Sequence, residues 1–339
     1  MKSTDGEILV LESVESPNAL ANPYVKIMAR EMERDPRISI QWFSWKRALL
    51  GNYDVIHIHW PEALLRSPTA LRRAPKAVLF LALLLRIRFS SKKVVRTVHN
   101  RNPHEAGNRF DTLALKALDR LTNHWVGLSP LHQPGSPFTV VPHPHYRGSY
   151  PEPLEERDSK HPTISFFGLI RPYKGLEELV AAFDTVGPPY RLEISGKPLD
   201  DSIASMLRRF SSDRDNVNLD LYEIDDQALS NFISKGTLIA LPIRNVLNSG
   251  SALLALSFNR PVLMPRSPGS ALLQDEFGPD WIHLYDGELT TTALLAALSA
   301  AGDFLDSAPS TPMDDRAPAL VGQSMADVIL TVTREPGTT

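Results

Sequence analysis

FFGLIRPYKG, residues Phe166–Gly175, begins as an apolar strand and ends in Arg171, Tyr173, Lys174 and Gly175. An apolar helical pattern, Leu176–Phe183, follows at once. A strand that stops at two cations and a glycine before such a helix reads as a β–α loop at a strand's carboxyl end. Gly175 permits a tight turn into the helix. Arg171 offers a planar donor fork and Lys174 a mobile point charge, a pairing suited to a diphosphate. Solvated loop cations are the plain alternative.

Outward from this stretch, strands and helices alternate. Downstream, strands are predicted at Thr163–Ile170, Tyr190–Gly196, Val217–Glu223, Gly236–Ile243, Arg260–Pro265 and Trp281–Asp286. Helices are predicted at Leu176–Phe183, Asp201–Phe210, Asp226–Ser234, Ser251–Phe258 and Thr290–Ala300. Upstream, strands are expected at Glu7–Ser13, Ile38–Ser44, Asp54–His59, Lys92–His99, His124–Ser129 and Phe138–His143, with helices including Tyr24–Arg34 and Arg109–Leu121. This alternation predicts an α/β fold with two doubly wound parallel sheets. The expected division is a first domain over 1–145, a linker over 146–162, a second domain over 163–320, and a terminal helix and tail over 321–339. The linker, rich in proline and charge, lacks apolar periodicity. Ligands of such sheets bind beyond the carboxyl ends of the strands, so the site is expected in a cleft faced by both domains.

Composition removes several function classes. The chain has 339 residues, a net charge of -3 and no cysteine. Disulfides and thiolate zinc sites are excluded, and a cytoplasmic location is the simpler expectation. No uninterrupted apolar run is long enough to span a bilayer, and the acid-containing N-terminus is not expected to be a secretory signal. No nucleic-acid partner is expected. Between Ala63 and His104 there are ten cations and no Asp or Glu. Within that window lies the apolar run Ala77–Leu85. Residues 66–101 therefore read either as an interfacial segment at an anionic membrane, with Leu83 and Leu84 entering it, or as a core helix with basic ends.

Other loops carry candidate chemistry. Asn248, Ser249, Gly250 and Ser251 open an apolar helix, where free backbone N–H groups suit an anion or form a simple N-cap. RTVHNRNPHE (Arg96–Glu105) places His99, His104 and Glu105 at a strand end. Histidine titrates near neutral pH, as a general base must. VIHIHWPE puts His57 and His59 on one strand face, with Glu62 just beyond. A packed, hydrogen-bonded histidine is the plainer reading of His57. The first β–α loop has no glycine between Gly6 and Gly51, which argues against a dinucleotide cofactor held by a glycine-rich turn. Asn18, Asn22 and Tyr24 are expected there as acceptor contacts, with His59. Asp213 and Asp215 have a metal-site spacing but lie in a polar loop, so no catalytic metal is expected.

At this point the chain resembles GT-B glycosyltransferases, two Rossmann-like domains facing a cleft, over nearly its whole length. FFGLIRPYKGLEELVAAF, VNLDLYEIDDQALSNFISKGTLIALPI and SGSALLALSFNRPVL resemble the donor-domain segments of glycosyltransferase group 1. DVIHIHWPE, NPY and TVHNRNPHE look more like bacterial exopolysaccharide transferases related to lipid-linked β-mannosyltransferases. The resemblance implies sugar transfer from a nucleotide diphosphate sugar, GDP- or UDP-linked, to a saccharide or lipid-linked saccharide acceptor, with no further cofactor. The expected location is cytoplasmic, or peripheral on the inner face of the cell membrane through residues 66–101. Lys174 matches the lysine that contacts the donor diphosphate, and His99 the first-domain histidine near the donor sugar. Gly196 and Lys197 are also expected as donor contacts. Glu223 and Ile224 lie where the base is read. The sequence departs from the pattern at Leu169, which replaces an arginine whose role passes to Arg171, and at Val246 and Leu254, which replace two glutamates. The departure leaves retention or inversion open. A nucleotide-sugar epimerase and a catalytically idle sugar-binding protein are the rival readings.

Overall fold

The computed structural model describes residues 6–15, 23–65, 70–99, 108–244 and 248–334; side chains are described from residue 73 within the third stretch. Asn18, Asn22, His104, Glu105 and Val246 therefore lie outside the described residues.

The chain divides into two units, Met1–Pro144 with Asp315–Thr339, and His145–Asp314. The first contains β1 (Ile8–Glu12), α1 (Pro23–Met32), β2 (Ile38–Trp42), α2 (Trp45–Leu50), β3 (Val55–Ile58), α3 (Pro61–Leu65), α4 (Ala70–Arg88), β4 (Lys93–Val98), α5 (Arg109–Leu121), β5 (His124–Gly127) and β6 (Phe138–Val140). Its six strands are all parallel, in the order β2-β1-β3-β4-β5-β6. Successive side chains of a strand face opposite sides. Val10 accordingly enters one apolar core, and Leu9 and Leu11 enter another. Both faces are buried, which is why the strands read as continuous apolar runs rather than alternating ones.

The second unit contains β7 (Thr163–Phe167), α6 (Leu176–Phe183), β8 (Arg191–Ser195), α7 (Asp201–Ser211), β9 (Val217–Asp220), α8 (Asp226–Lys235), β10 (Leu238–Ala240), α9 (Gly250–Ser257), β11 (Val262–Pro265), α10 (Pro268–Phe277), β12 (Ile282–Tyr285) and α11 (Thr291–Leu305). Its six parallel strands run β12-β11-β10-β7-β8-β9. Strand order reverses at β1/β3 in the first sheet and at β7/β10 in the second. The carboxyl ends at such switch points form the ligand crevices of open α/β sheets.

Two connections differ from the sequence reading. The stretch 146–162 is tied to the second unit. Arg147 donates to the Asn259 side chain at 3.0 Å and to the Thr311 carbonyl at 2.7 Å, and the Leu154 amide donates to Asn231 at 2.8 Å. The terminal helix expected within 321–339 is α12 (Pro318–Arg334), which returns to the first unit and buries Val321, Met325 and Ile329 with Tyr24 and Met28 of α1.

Helix α4 resolves the face of the basic apolar segment. Phe80, Leu83, Leu84 and Ile87 are buried against the β1–β3–β4 core. Leu83 and Leu84 thus cannot enter a membrane, because they are already committed to packing. Val78, Leu81, Leu85 and Phe89 are exposed instead. Their spacing of three and four residues lines them along the opposite face. Among the described residues no helix is long and apolar enough to cross a membrane.

Candidate active site

In the second unit, the loop after β7 lies at the switch point. The chain leaves β7 at Gly168, with φ 102°, and the Ile170 amide donates to the Lys197 carbonyl at 3.0 Å, stitching this loop to the one after β8. Arg171 leads into a single 3-10 turn, Pro172–Lys174. Gly175 then takes a left-handed conformation, φ 70°, and any side chain there would strike the Pro242 carbonyl. Only glycine satisfies both the turn and this approach. The β7 and β10 loops are therefore seated directly on each other. Arg244 reinforces the seam, donating to Glu178 of α6 at 3.0 Å and to the Gly287 carbonyl at 3.2 Å.

The Lys174 side chain folds back toward the strand end. Its Nζ lies 5.9 Å from the Phe166 ring centre and close above Gly168, where a β-carbon would crowd it at 3.3 Å. Burial, with the neighbouring Arg171 charge, pushes the ammonium down to about 8. The Arg171 Nε is buried and has no hydrogen-bond partner. An unsatisfied buried donor costs about 1–3 kcal/mol, a cost that an anion would remove. Leu169, in place of the usual arginine, is 47% exposed.

Across the switch point, Ser249 caps α9, its hydroxyl accepting from the Ala252 amide at 3.1 Å. Ser249 is buried, while Asn248, Gly250 and Ser251 are half-buried around the helix start. The first amides of a helix lack intrahelical acceptors. Leu254 is packed in the core. Gly196 ends β8 at φ 156°. The Lys197 and Glu223 side chains are exposed and Ile224 is half-buried, beyond β8 and β9.

The first unit builds a different site at its own switch point. Parallel pairing sets Glu12 of β1 beside His57 of β3. His57 and His59 share one sheet face, as do Thr97 and His99 on and after β4. The three adjacent strands therefore place Glu12, His57, His59, Thr97 and His99 in one group. Glu12 accepts from His57 Nδ1 at 2.9 Å and from His59 Nε2 at 3.0 Å. His57 Nε2 meets the Thr97 hydroxyl at 2.8 Å, and His59 Nδ1 meets His99 Nε2 at 3.1 Å. Burial would push the Glu12 carboxyl up. The attraction and hydrogen bonds of His57 and His59 outweigh it and hold the group at about 2. Burial, aided by His57, lowers His59 despite Glu12. Burial and the nearby His59, His143 and His57 lower His99 well below its usual value. A neutral imidazole at neutral pH is the form a base requires.

The ligand atoms of Glu12, His57 and His59 lie within 4.8 Å of one another, so this group can also be considered for a metal ion. Both carboxylate oxygens and all four ring nitrogens of the two histidines are already engaged in the hydrogen bonds above.

A cavity of about 230 Å³ opens beside this group, its wall including His59, Trp60, Glu62, Arg96, His99 and Trp125. Glu62, in the first turn of α3, thus joins His59 and His99. Trp60 stacks on His99 with ring centres 4.3 Å apart. Tyr24 does not match the acceptor contact expected of it. It is fully buried, edge-on to His59 and His99 at 5.9 and 5.1 Å, and so supports those rings from behind. His59 is also buried and bonded on both nitrogens, so its ring orients its neighbours. Glu12 escaped the sequence reading. Its one signal was a lone acid closing an apolar strand, ILVLE.

No family model matches the chain. It is 35% identical over 310 residues to a GDP-mannose:glycolipid 4-beta-D-mannosyltransferase of Xanthomonas campestris pv. campestris, covering 91% of this chain and 87% of the relative. Among solved structures it resembles sucrose-phosphate synthase from Thermosynechococcus elongatus, with TM-score 0.63, 14% identity, and coverage of 96% and 95%. It also resembles Anabaena HepE in complex with UDP-glucose, with TM-score 0.61, 12% identity, and coverage of 97% and 98%. The two structural likenesses concern the fold alone. With two six-stranded parallel sheets, a lysine loop at the second switch point and this degree of sequence identity, the chain belongs to the glycolipid mannosyltransferase family of GT-B glycosyltransferases, which move a sugar from a nucleotide diphosphate sugar to a saccharide acceptor.

Proposed function

We propose that this protein transfers mannose from GDP-mannose to a hydroxyl of a lipid-linked saccharide, inverting the anomeric centre without a metal ion. The observation that carries the reading is Lys174 folded over Gly168 at the β7/β10 switch point, beside the unpartnered Nε of Arg171. The donor and the β-linkage follow the name of the Xanthomonas relative. GDP-mannose is α-linked, so a β-product requires inversion in a single displacement. Arg171, Lys174 and the amides around Ser249–Ser251 neutralise the leaving GDP as charge develops on it. Two cations and a helix start supply the charge that a metal would otherwise provide. In the first unit, neutral His99 removes the acceptor's hydroxyl proton, with Glu62 on the same cavity wall. The exposed apolar stripe of α4, flanked by Lys76, Arg86, Arg88 and Lys92, rests in the interface of an anionic membrane and keeps the enzyme near a lipid-linked acceptor.

The test is incubation of purified protein with GDP-mannose, UDP-glucose and UDP-N-acetylglucosamine, with and without solubilised membrane glycolipids. GDP release that is stimulated by glycolipid and survives chelation is expected. Interconversion of the nucleotide sugars would instead identify an epimerase, and binding without turnover an idle protein. Activity lost to chelator and restored by magnesium or manganese would remove the metal-free mechanism.

A further inference from the structure

We infer that Glu12 and His59 form a proton relay behind His99, acting as positioning residues for the base. The inference rests on His99 being the base proposed above.

The direction of each hydrogen bond follows from donor chemistry. An ionised carboxylate only accepts. His57 Nδ1 and His59 Nε2 must therefore both carry hydrogens toward Glu12. A neutral His59 with its proton on Nε2 has an accepting Nδ1. The hydrogen of that 3.1 Å contact then belongs to His99 Nε2. One buried carboxylate thus selects the tautomers of two rings in turn. Orientation of a base by a buried acid through the far ring nitrogen is a general device.

The same geometry accommodates the state after proton uptake. As the acceptor oxygen bonds to the anomeric carbon, the bond from that carbon to the diphosphate oxygen breaks, and its electron pair leaves with the nucleotide. The hydroxyl proton goes to His99 Nδ1. The proton on His99 Nε2 can then pass to His59 Nδ1. His59 becomes the cation, 3.0 Å from the Glu12 carboxylate. The charge generated at the cavity wall is thereby moved against a buried counter-ion. Without Glu12, a cation among His57, His59, His99 and His143 would have no buried anion to face among the described residues.

Other groups around the chain set its limits. Tyr24 of α1 packs on His59 and His99, and also lies 4.8 Å from His143, whose carbonyl accepts from Arg316 at 2.9 Å. Glu62, Arg96 and Asp119 line the cavity side. Arg96 is ion-paired with Asp119, which keeps its charge from acting on His99 alone.

Histidine-selective 15N spectra of the full-length protein provide a readout independent of turnover. Nε2–H tautomers are expected for His59 and His99 at neutral pH, with a strongly deshielded His59 Nε2–H proton. Glu12→Gln should lower kcat for GDP release from GDP-mannose about 10²-fold while KM changes little, and Glu12→Asp should recover part of the loss. It should also abolish the deshielded resonance. An Nδ1–H tautomer at His59, unchanged kcat in Glu12→Gln, or one equivalent of bound zinc in the purified protein would overturn the relay. His99→Ala separates the two ideas. If it retains turnover, the base assignment itself fails. If it loses turnover while Glu12→Gln does not, the relay alone fails. Should Glu12→Gln not fold, the tautomers of the unaltered protein still decide.

Discussion

The two switch points of this molecule hold charge in opposite ways. In the first unit, a fully buried carboxylate is surrounded by histidines, with its oxygens satisfied from within. In the second, two cations share one loop, and the buried Arg171 Nε is satisfied by nothing. In the roles proposed above, the first arrangement relays a proton and the second receives an anion from outside. A buried polar group with complete hydrogen bonding costs little, whereas an incomplete one gains by taking a partner from solvent or from a ligand. On the proposed reading, the second unit meets the charged half of the donor.

The sharpest way to break the comparison is at Lys174. Lys174→Ala should reduce GDP release about 10²–10³-fold, with the folded structure retained by circular dichroism. Unchanged turnover would place the diphosphate elsewhere. Next in size is acid stability, which should report the first unit. His143 titrates at about 4 in the folded chain, lowered from 6.5 chiefly by burial. The unfolded state binds the extra proton, so stability is complete above 6.5 and declines as pH falls toward 4, by about 3 kcal/mol at most. Glu12 adds to this at lower pH. Its folded value of about 2 against 4.5 means that its contribution, present above 4.5, disappears as pH falls through 2. Urea unfolding at a series of pH values measures the slope; a flat profile between 6.5 and 4 would mean that His143 is not buried neutral.

The second unit should respond at the other end of the scale. Lys174 loses its proton near 8 in the free protein, and only the cation pairs with a diphosphate. GDP affinity measured by calorimetry should therefore fall up to about tenfold per pH unit above that value. Removing the Arg171 charge should move the onset to higher pH. The smallest effect is expected on α4. Leu85→Ser should leave stability within about 0.5 kcal/mol yet weaken binding to vesicles of anionic lipid. Leu83→Asp, by contrast, buries a charge in the core and should unfold the first unit. Equal vesicle binding by wild type and Leu85→Ser would exclude the exposed stripe as the membrane contact.

How much was legible without coordinates differs between the two sites. The loop after β7 could be placed because its parts are consecutive. Phe166–Gly175 contains the strand end, the cations and the turn within ten residues. The proton site could be read only in part. His57, His59 and His99 stood out as residue types, but Glu12 lies 45 positions from His57 and becomes its partner solely through parallel pairing of β1 with β3. Tyr24 is expected as an acceptor contact from its place in the first β–α loop, whereas packing of α1 under α12 encloses it. On α4 the apolar run covers the whole circumference from Ala77 to Leu85, so periodicity could not separate core face from open face.

Sequence by itself determined the alternating α/β pattern, the two sheets and the lysine loop, because each depends on local spacing and on residues that meet their neighbours along the chain. Tertiary structure alone decided the partner of the histidines, the return of α12 to the first unit and the outward face of α4. Those outcomes depend on strand order and on which surfaces the fold covers, and these are settled only when residues distant in sequence are packed together.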